Sequence, residues 1–104
     1  MAGGLRERRR AARAEVRLPC VLRRAHGSPL SCETVDIGPG GMSVLSRRPL
    51  AQDELLRFDL PVADGPQLCG EARVLRQRGP QIYALTFEHL PEPVRARLEQ
   101  FVRV

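Results

Sequence analysis

Apolar and polar residues alternate with a period of two along most of the chain between Glu15 and Phe87. That period puts successive side chains on opposite faces and marks strands with one buried and one wet side. Val16 and Leu18 alternate with polar neighbours, Pro19 interrupts, and Cys20, Val21 and Leu22 follow. This predicts a first strand with a bulge or edge at Pro19. His26-Gly27-Ser28-Pro29 reads as a turn. Residues 31–37 read as a second strand with Glu33, Val35 and Ile37 on one face. Gly38-Pro39-Gly40-Gly41 is a tight turn, and residues 42–46 are a third strand with Met42 and Val44 inward.

Beyond the connection at residues 49–53, residues 54–60 predict a fourth strand with Leu56, Phe58 and Leu60 on one side. Residues 67–78 predict a long fifth strand with Leu68, Gly70, Ala72 and Val74 aligned. Residues 81–87 predict a sixth, with Tyr83, Leu85 and Phe87 on one face. The period then changes. Val94, Leu98, Phe101 and Val102 are spaced as one face of a helix over residues 92–103. Glu92 early and Arg103 late suit the helix dipole. Six short strands with tight turns and one amphipathic helix predict an all-β fold, a six-stranded antiparallel barrel capped by a C-terminal α-helix. Residues 14–104 make that barrel. Residues 1–13 have no apolar face to bury and are expected to be a flexible arm.

Charge sharpens this division. All 17 basic residues are arginines. Eight of them fall in residues 1–24 against two acids, a local charge of +6, whereas residues 25–104 are close to neutral. A basic segment on a neutral body predicts an anionic partner. The three cysteines, Cys20, Cys32 and Cys69, are far apart, form no CxxC and lie at no metal-ligand spacing from His26 or His89. They are read as small reduced core residues. No metal site, no cofactor and no catalytic residue is expected: there is no nucleophile elbow, HExxH or Walker loop. No apolar run is long enough to span a membrane and no signal peptide opens the chain, so a cytoplasmic location is expected.

Two segments carry candidate chemistry. Arg8-Arg9-Arg10-Ala11-Ala12-Arg13 reads plainly as a solubilising arm. Yet a guanidinium fork can also clamp a phosphate, bind O6 and N7 of guanine, or stack on a base. Asp36-Ile37-Gly38-Pro39-Gly40-Gly41 reads plainly as a hairpin turn whose glycines supply positive-φ conformations. It also offers a backbone that a ligand can approach and a carboxylate able to accept from the N1–H and exocyclic amine of guanine.

In that order, on a barrel-shaped pattern, the two segments resemble the motifs of the PilZ domain family. Arg9 and Arg13 match the fixed arginines of its Arg-x-x-x-Arg motif. Asp36 and Gly41 match the outer positions of its Asp-x-Ser-x-x-Gly motif, and Gly38 stands where the family has serine. The resemblance covers residues 6–103. It implies a six-stranded barrel with a C-terminal helix and a bacterial receptor for cyclic diguanylate (c-di-GMP). Arg9, Arg10, Arg13, Asp36, Gly38 and Gly41 would contact the ligand, and the arm's rearrangement would relay the signal to an effector protein. In such a receptor the missing hydroxyl at Gly38 would cost on the order of 1 kcal/mol of binding, unless water or a backbone N–H took its place. Two alternatives stay open. One is a PilZ-like adaptor that binds proteins without nucleotide. The other is a small nucleic-acid-binding barrel, disfavoured because Phe58, Tyr83, Phe87 and Phe101 leave few aromatics to stack on bases.

Overall fold

Alternating apolar residues form six strands in this computed structural model, which describes residues 14–62 and 65–102, with side chains to residue 100. The strands are β1 (Pro19–Arg23), β2 (Leu30–Ile37), β3 (Gly41–Leu45), β4 (Leu55–Leu60), β5 (Leu68–Gly79) and β6 (Ile82–Glu88). Every pairing is antiparallel, and the order β1-β2-β3-β6-β5-β4 closes into a barrel through β1–β4. Among the described residues, closure leaves no strand of the barrel with an unpaired neighbour. One helix, α1 (Glu92–Val102), follows. Its Leu98 is fully buried and Val94 packs beside it, on a face that meets β5 and β2.

The inward rows match the predicted ones in β3 to β6. Met42, Val44, Leu56, Phe58, Leu60, Leu68, Ala72, Val74, Tyr83 and Leu85 are all buried. Phe58 and Phe87 meet with ring centroids 5.4 Å apart at 42°.

Three expectations fail in the first third. Pro19 does not interrupt β1; it begins it. Thr34 N–H donates to Leu18 O (2.9 Å), which makes Leu18 and Thr34 a hydrogen-bonded pair in this register. Pro19, opposite Glu33, is therefore at a position whose nitrogen points away from β2, and its missing N–H breaks no bond to that strand. The predicted inward face of β2 is also wrong. Glu33 is exposed and Val35 half-buried, whereas Leu30, Thr34 and Ile37 are buried. The register slips between Thr34 and Asp36, so Val35 is an extra residue that exchanges the two faces.

Residues 15–18 are likewise not strand. The buried Thr34 hydroxyl holds them instead, accepting from Leu18 N–H (2.9 Å) and donating to Val16 O. The cysteines divide as well. Cys20 is in the core, Cys32 is half-buried, and Cys69 is exposed because it follows inward Leu68 on the outer face of β5.

Gly41 fixes how closely β3 approaches β6. A Cβ there would stand 2.1 Å from Leu85 O and 3.2 Å from its carbonyl carbon. One at Gly40 would meet nothing within 4 Å. Backbone cannot yield as a flexible side chain can. Gly41→Ala is therefore expected to destabilise by about 3 kcal/mol, and Gly40→Ala by less than about 1 kcal/mol, measured by urea unfolding.

A partly buried ion pair ties β1 to the loop before β4. Arg24 Nε and Nη2 donate to Glu54 Oε2 and Oε1 at 2.7 and 2.9 Å, and Nη2 also reaches Pro49 O. The Arg24 hydrogen bonds hold the Glu54 carboxyl below its ordinary value of 4.5, against the opposing effect of burial. The stability this adds is complete above that ordinary value and is lost as pH falls through the depressed one. Glu54→Gln should lower neutral-pH stability by about 1 kcal/mol and flatten the acid limb of the stability–pH curve, read by thermal melts.

Candidate functional site

The β2–β3 hairpin carries the second motif. Ile37 pairs with Met42, Gly38 N–H donates to Gly41 O (2.8 Å), and Pro39 and Gly40 project at the tip. None of the turn's glycines is left-handed; among the described residues the positive-φ glycine is Gly27, at 98°. The expectation that three glycines supply positive φ here is therefore wrong. Gly41 serves the β3–β6 contact, and Gly40 O accepts from Phe87 N–H (2.9 Å), so the turn is sewn to β6. Gly38 and Gly41 are buried, while Gly40 faces open space.

Register then places Asp36 on the outer face of the barrel. Asp36 pairs with Ser43 on β3, Ser43 with Ala84 on β6, and Ala84 with Arg76 on β5. Four neighbouring strands thus present one continuous row: carboxylate, hydroxyl, methyl, guanidinium. The β5–β6 register slips twice, between Val74 and Arg76 and between Gln77 and Gly79. Each bulge re-aims the extra residue. The first leaves Leu75 53% exposed. The second releases Arg78, whose Nη1 donates to Ser43 Oγ (2.6 Å) and to Asp36 Oδ2 (3.3 Å). Ala84, between them, has no side chain beyond Cβ to obstruct that reach. The Asp36 side chain is only 15% exposed, so its charge is felt through less water than a surface carboxylate's.

These residues line an open cleft of about 420 Å³, with Gly40, Gly41, Leu75 and Thr86 at its margins. A larger one, about 550 Å³, lies at the other end of the β2–β3 hairpin, between Ser28, Cys32, Leu45 and Arg48. It has no motif residue. Size does not select the functional site here; the convergence of charge and hydrogen-bonding groups does.

The structure brings together three of the sequence-predicted site residues, Asp36, Gly38 and Gly41. Arg9, Arg10 and Arg13 lie outside the described residues. The described chain begins beside them, however. Ala14 N–H donates to Ile37 O (2.8 Å) and Ile37 N–H donates to Ala14 O (2.9 Å), an isolated antiparallel bridge. The residue after the first motif is thus bonded to the residue after Asp36. Sequence reasoning missed Ser43, Arg76 and Arg78. Nothing in the local pattern marks them, because two bulges and three strand registers bring them to Asp36.

Comparison with known proteins agrees with this architecture. The family model of the PilZ domain matches residues 7–103. The fold is similar to the crystal structure of the PilZ domain of CeSA from a cellulose-synthesizing bacterium, with a TM-score of 0.68 and 22% identity, covering 86% of this chain and 93% of that one. It is also similar to the Bacillus subtilis inhibitor of motility (MotI/DgrA), with a TM-score of 0.72 and 16% identity, covering 88% of this chain. The chain spans about half of that second protein, 47% of its length. No curated relative matches by sequence. With the barrel, the capping helix and nearly the whole chain accounted for, the protein belongs to the PilZ domain family.

Proposed function

We propose that this domain binds c-di-GMP on the outer face of β2, β3, β6 and β5. The single observation that carries the reading is the Ala14–Ile37 bridge, which bonds the residue following the arginine motif to the residue following Asp36. Arg9, Arg10 and Arg13 supply forks for the two phosphates and for guanine O6 and N7. Asp36 accepts from the N1–H and exocyclic amine of one guanine. Arg78, held by Ser43, keeps that carboxylate oriented and adds a cation to the face. Binding draws the N-terminal segment onto the barrel, and its new position is what a partner protein reads.

One observation favours a second reading, a protein-binding adaptor without nucleotide. Gly38 is buried and offers no hydroxyl where the family pattern has serine. A nucleic-acid barrel has no such support. Stacking needs exposed aromatic faces, and among the described residues Phe58 and Tyr83 are buried and Phe87 packs against the core.

Calorimetric titration of c-di-GMP into the protein separates these readings. Saturable binding at micromolar affinity or better is expected, with GTP and cyclic AMP much weaker. No heat at about 100 μM ligand overturns the receptor reading and leaves the adaptor. Asp36→Ala should abolish binding without altering the basic arm, and Arg78→Ala should weaken it about tenfold. If Asp36→Ala instead strengthens every anion tested, no guanine site exists there.

Gly38→Ser restores the family's hydroxyl and should tighten binding up to about fivefold, or ~1 kcal/mol. Thermal melts run alongside separate a strained turn from an improved contact. Unchanged affinity with unchanged stability means that position 38 never touches the ligand.

A further inference from the structure

We propose that Cys20 and Cys32 form a reversible disulfide, a modification site on the wall of the barrel distinct from the nucleotide face. The two cysteines are direct cross-strand partners, Cys20 on β1 opposite Cys32 on β2. Both side chains therefore leave the same face. Cys20 is 1% exposed and Cys32 half-buried beside it. Two positions from the hydrogen-bonded pair Leu18–Thr34, they form another pair of that kind. Such pairs have Cα atoms about 5.5 Å apart, inside the range that a disulfide spans. Their Cβ atoms must close by about 1 Å, a strain that keeps the bond easy to reduce.

The thiols also sense each other. Burial first, then the Cys32 thiol and Asp59, push the Cys20 thiol up to about 12. Burial raises the Cys32 thiol as well, opposed by a hydrogen bond with Ser46. Both are therefore mostly protonated at neutral pH, and exchange is slow rather than spontaneous on handling.

Access is unequal in a useful way. Cys32 lines the cleft of about 550 Å³, together with Arg47 and Arg48. A small anionic disulfide can reach it there, while Cys20 stays inside the wall. The chemistry is two thiol–disulfide exchanges. Deprotonated Cys32 Sγ attacks one sulfur of a low-molecular-weight disulfide and expels one thiolate. Cys20 gives its proton to solvent, attacks the Cys32 sulfur and expels the second thiolate. The protein loses two hydrogens and the external disulfide is reduced to two thiols. Cys69 is no partner for either thiol, because it is exposed on β5 and its cross-strand neighbour on β4 is Asp59. Closure would lock β1 to β2 two residues before Thr34, where the segment from Ala14 to Leu18 is fastened.

The test uses the full chain carrying Cys69→Ser, so that only the pair can react, with oxidised glutathione as the probe under conditions where the protein stays folded. Both free thiols should disappear together, and peptide mapping without reductant should find Cys20 joined to Cys32 with no glutathione retained. Dithiothreitol should restore both thiols. In Cys20→Ser, Cys32 should stop at a lasting glutathione adduct. A lasting adduct on Cys32 with Cys20 still present, or two thiols that stay free while the denatured chain oxidises, overturns the proposal. Neither result depends on nucleotide binding.

Discussion

One buried hydroxyl organises the end of the barrel that carries Asp36. Thr34 is fully buried and bonds the backbone on both sides of Arg17, accepting from Leu18 N–H and donating to Val16 O. Residues 15–18 are outside any strand, so they have no complete ladder to satisfy these groups. A methyl group in place of the hydroxyl would leave a partly buried donor and acceptor without this partner, at a cost of about 1 kcal/mol. Fastened this way, the incoming chain reaches Ile37 through Ala14 and arrives next to Asp36. The bulge at Val35 is part of the same arrangement, because it keeps both Thr34 and Ile37 inward while turning Asp36 out.

Charge is divided to match. Within the barrel, arginines are largely matched to carboxylates: Arg23 with Asp59, Arg24 with Glu54, Arg73 with Glu88. Such pairs orient side chains more than they stabilise the fold. The excess positive charge remains in the N-terminal quarter of the chain. The body that carries the Asp36 row is close to neutral, so the field of the chain is set by that first quarter.

Much of this was legible from period-two alternation alone. In β4, β5 and β6 each inward row is a run of apolar residues on alternate positions, and burial follows it. The reading failed where one residue is inserted. Val35 shifts the period by one, and no residue type announces that shift; Leu75 and Arg78 do the same in β5. The candidate site divided along the same line. Asp36 lies in a contiguous motif and can be found by inspection, whereas Ser43, Arg76 and Arg78 join it only through pairing between strands distant in sequence. Pro19 misled for a related reason. A proline disrupts a ladder only where its nitrogen faces the neighbouring strand, and that orientation depends on register.

Gly41 has a bearing on how motifs of this kind are interpreted. It is the last residue of the second motif, yet its lack of a side chain is required by Leu85 O at 2.1 Å from the would-be Cβ. Selection for a closed barrel alone would preserve it. A barrel of this kind that bound no nucleotide would carry this glycine unchanged, and only the aspartate and the arginines would be free to drift. The presence of the glycine therefore says nothing about ligand competence; the diagnostic weight falls on the side chains that the barrel can do without.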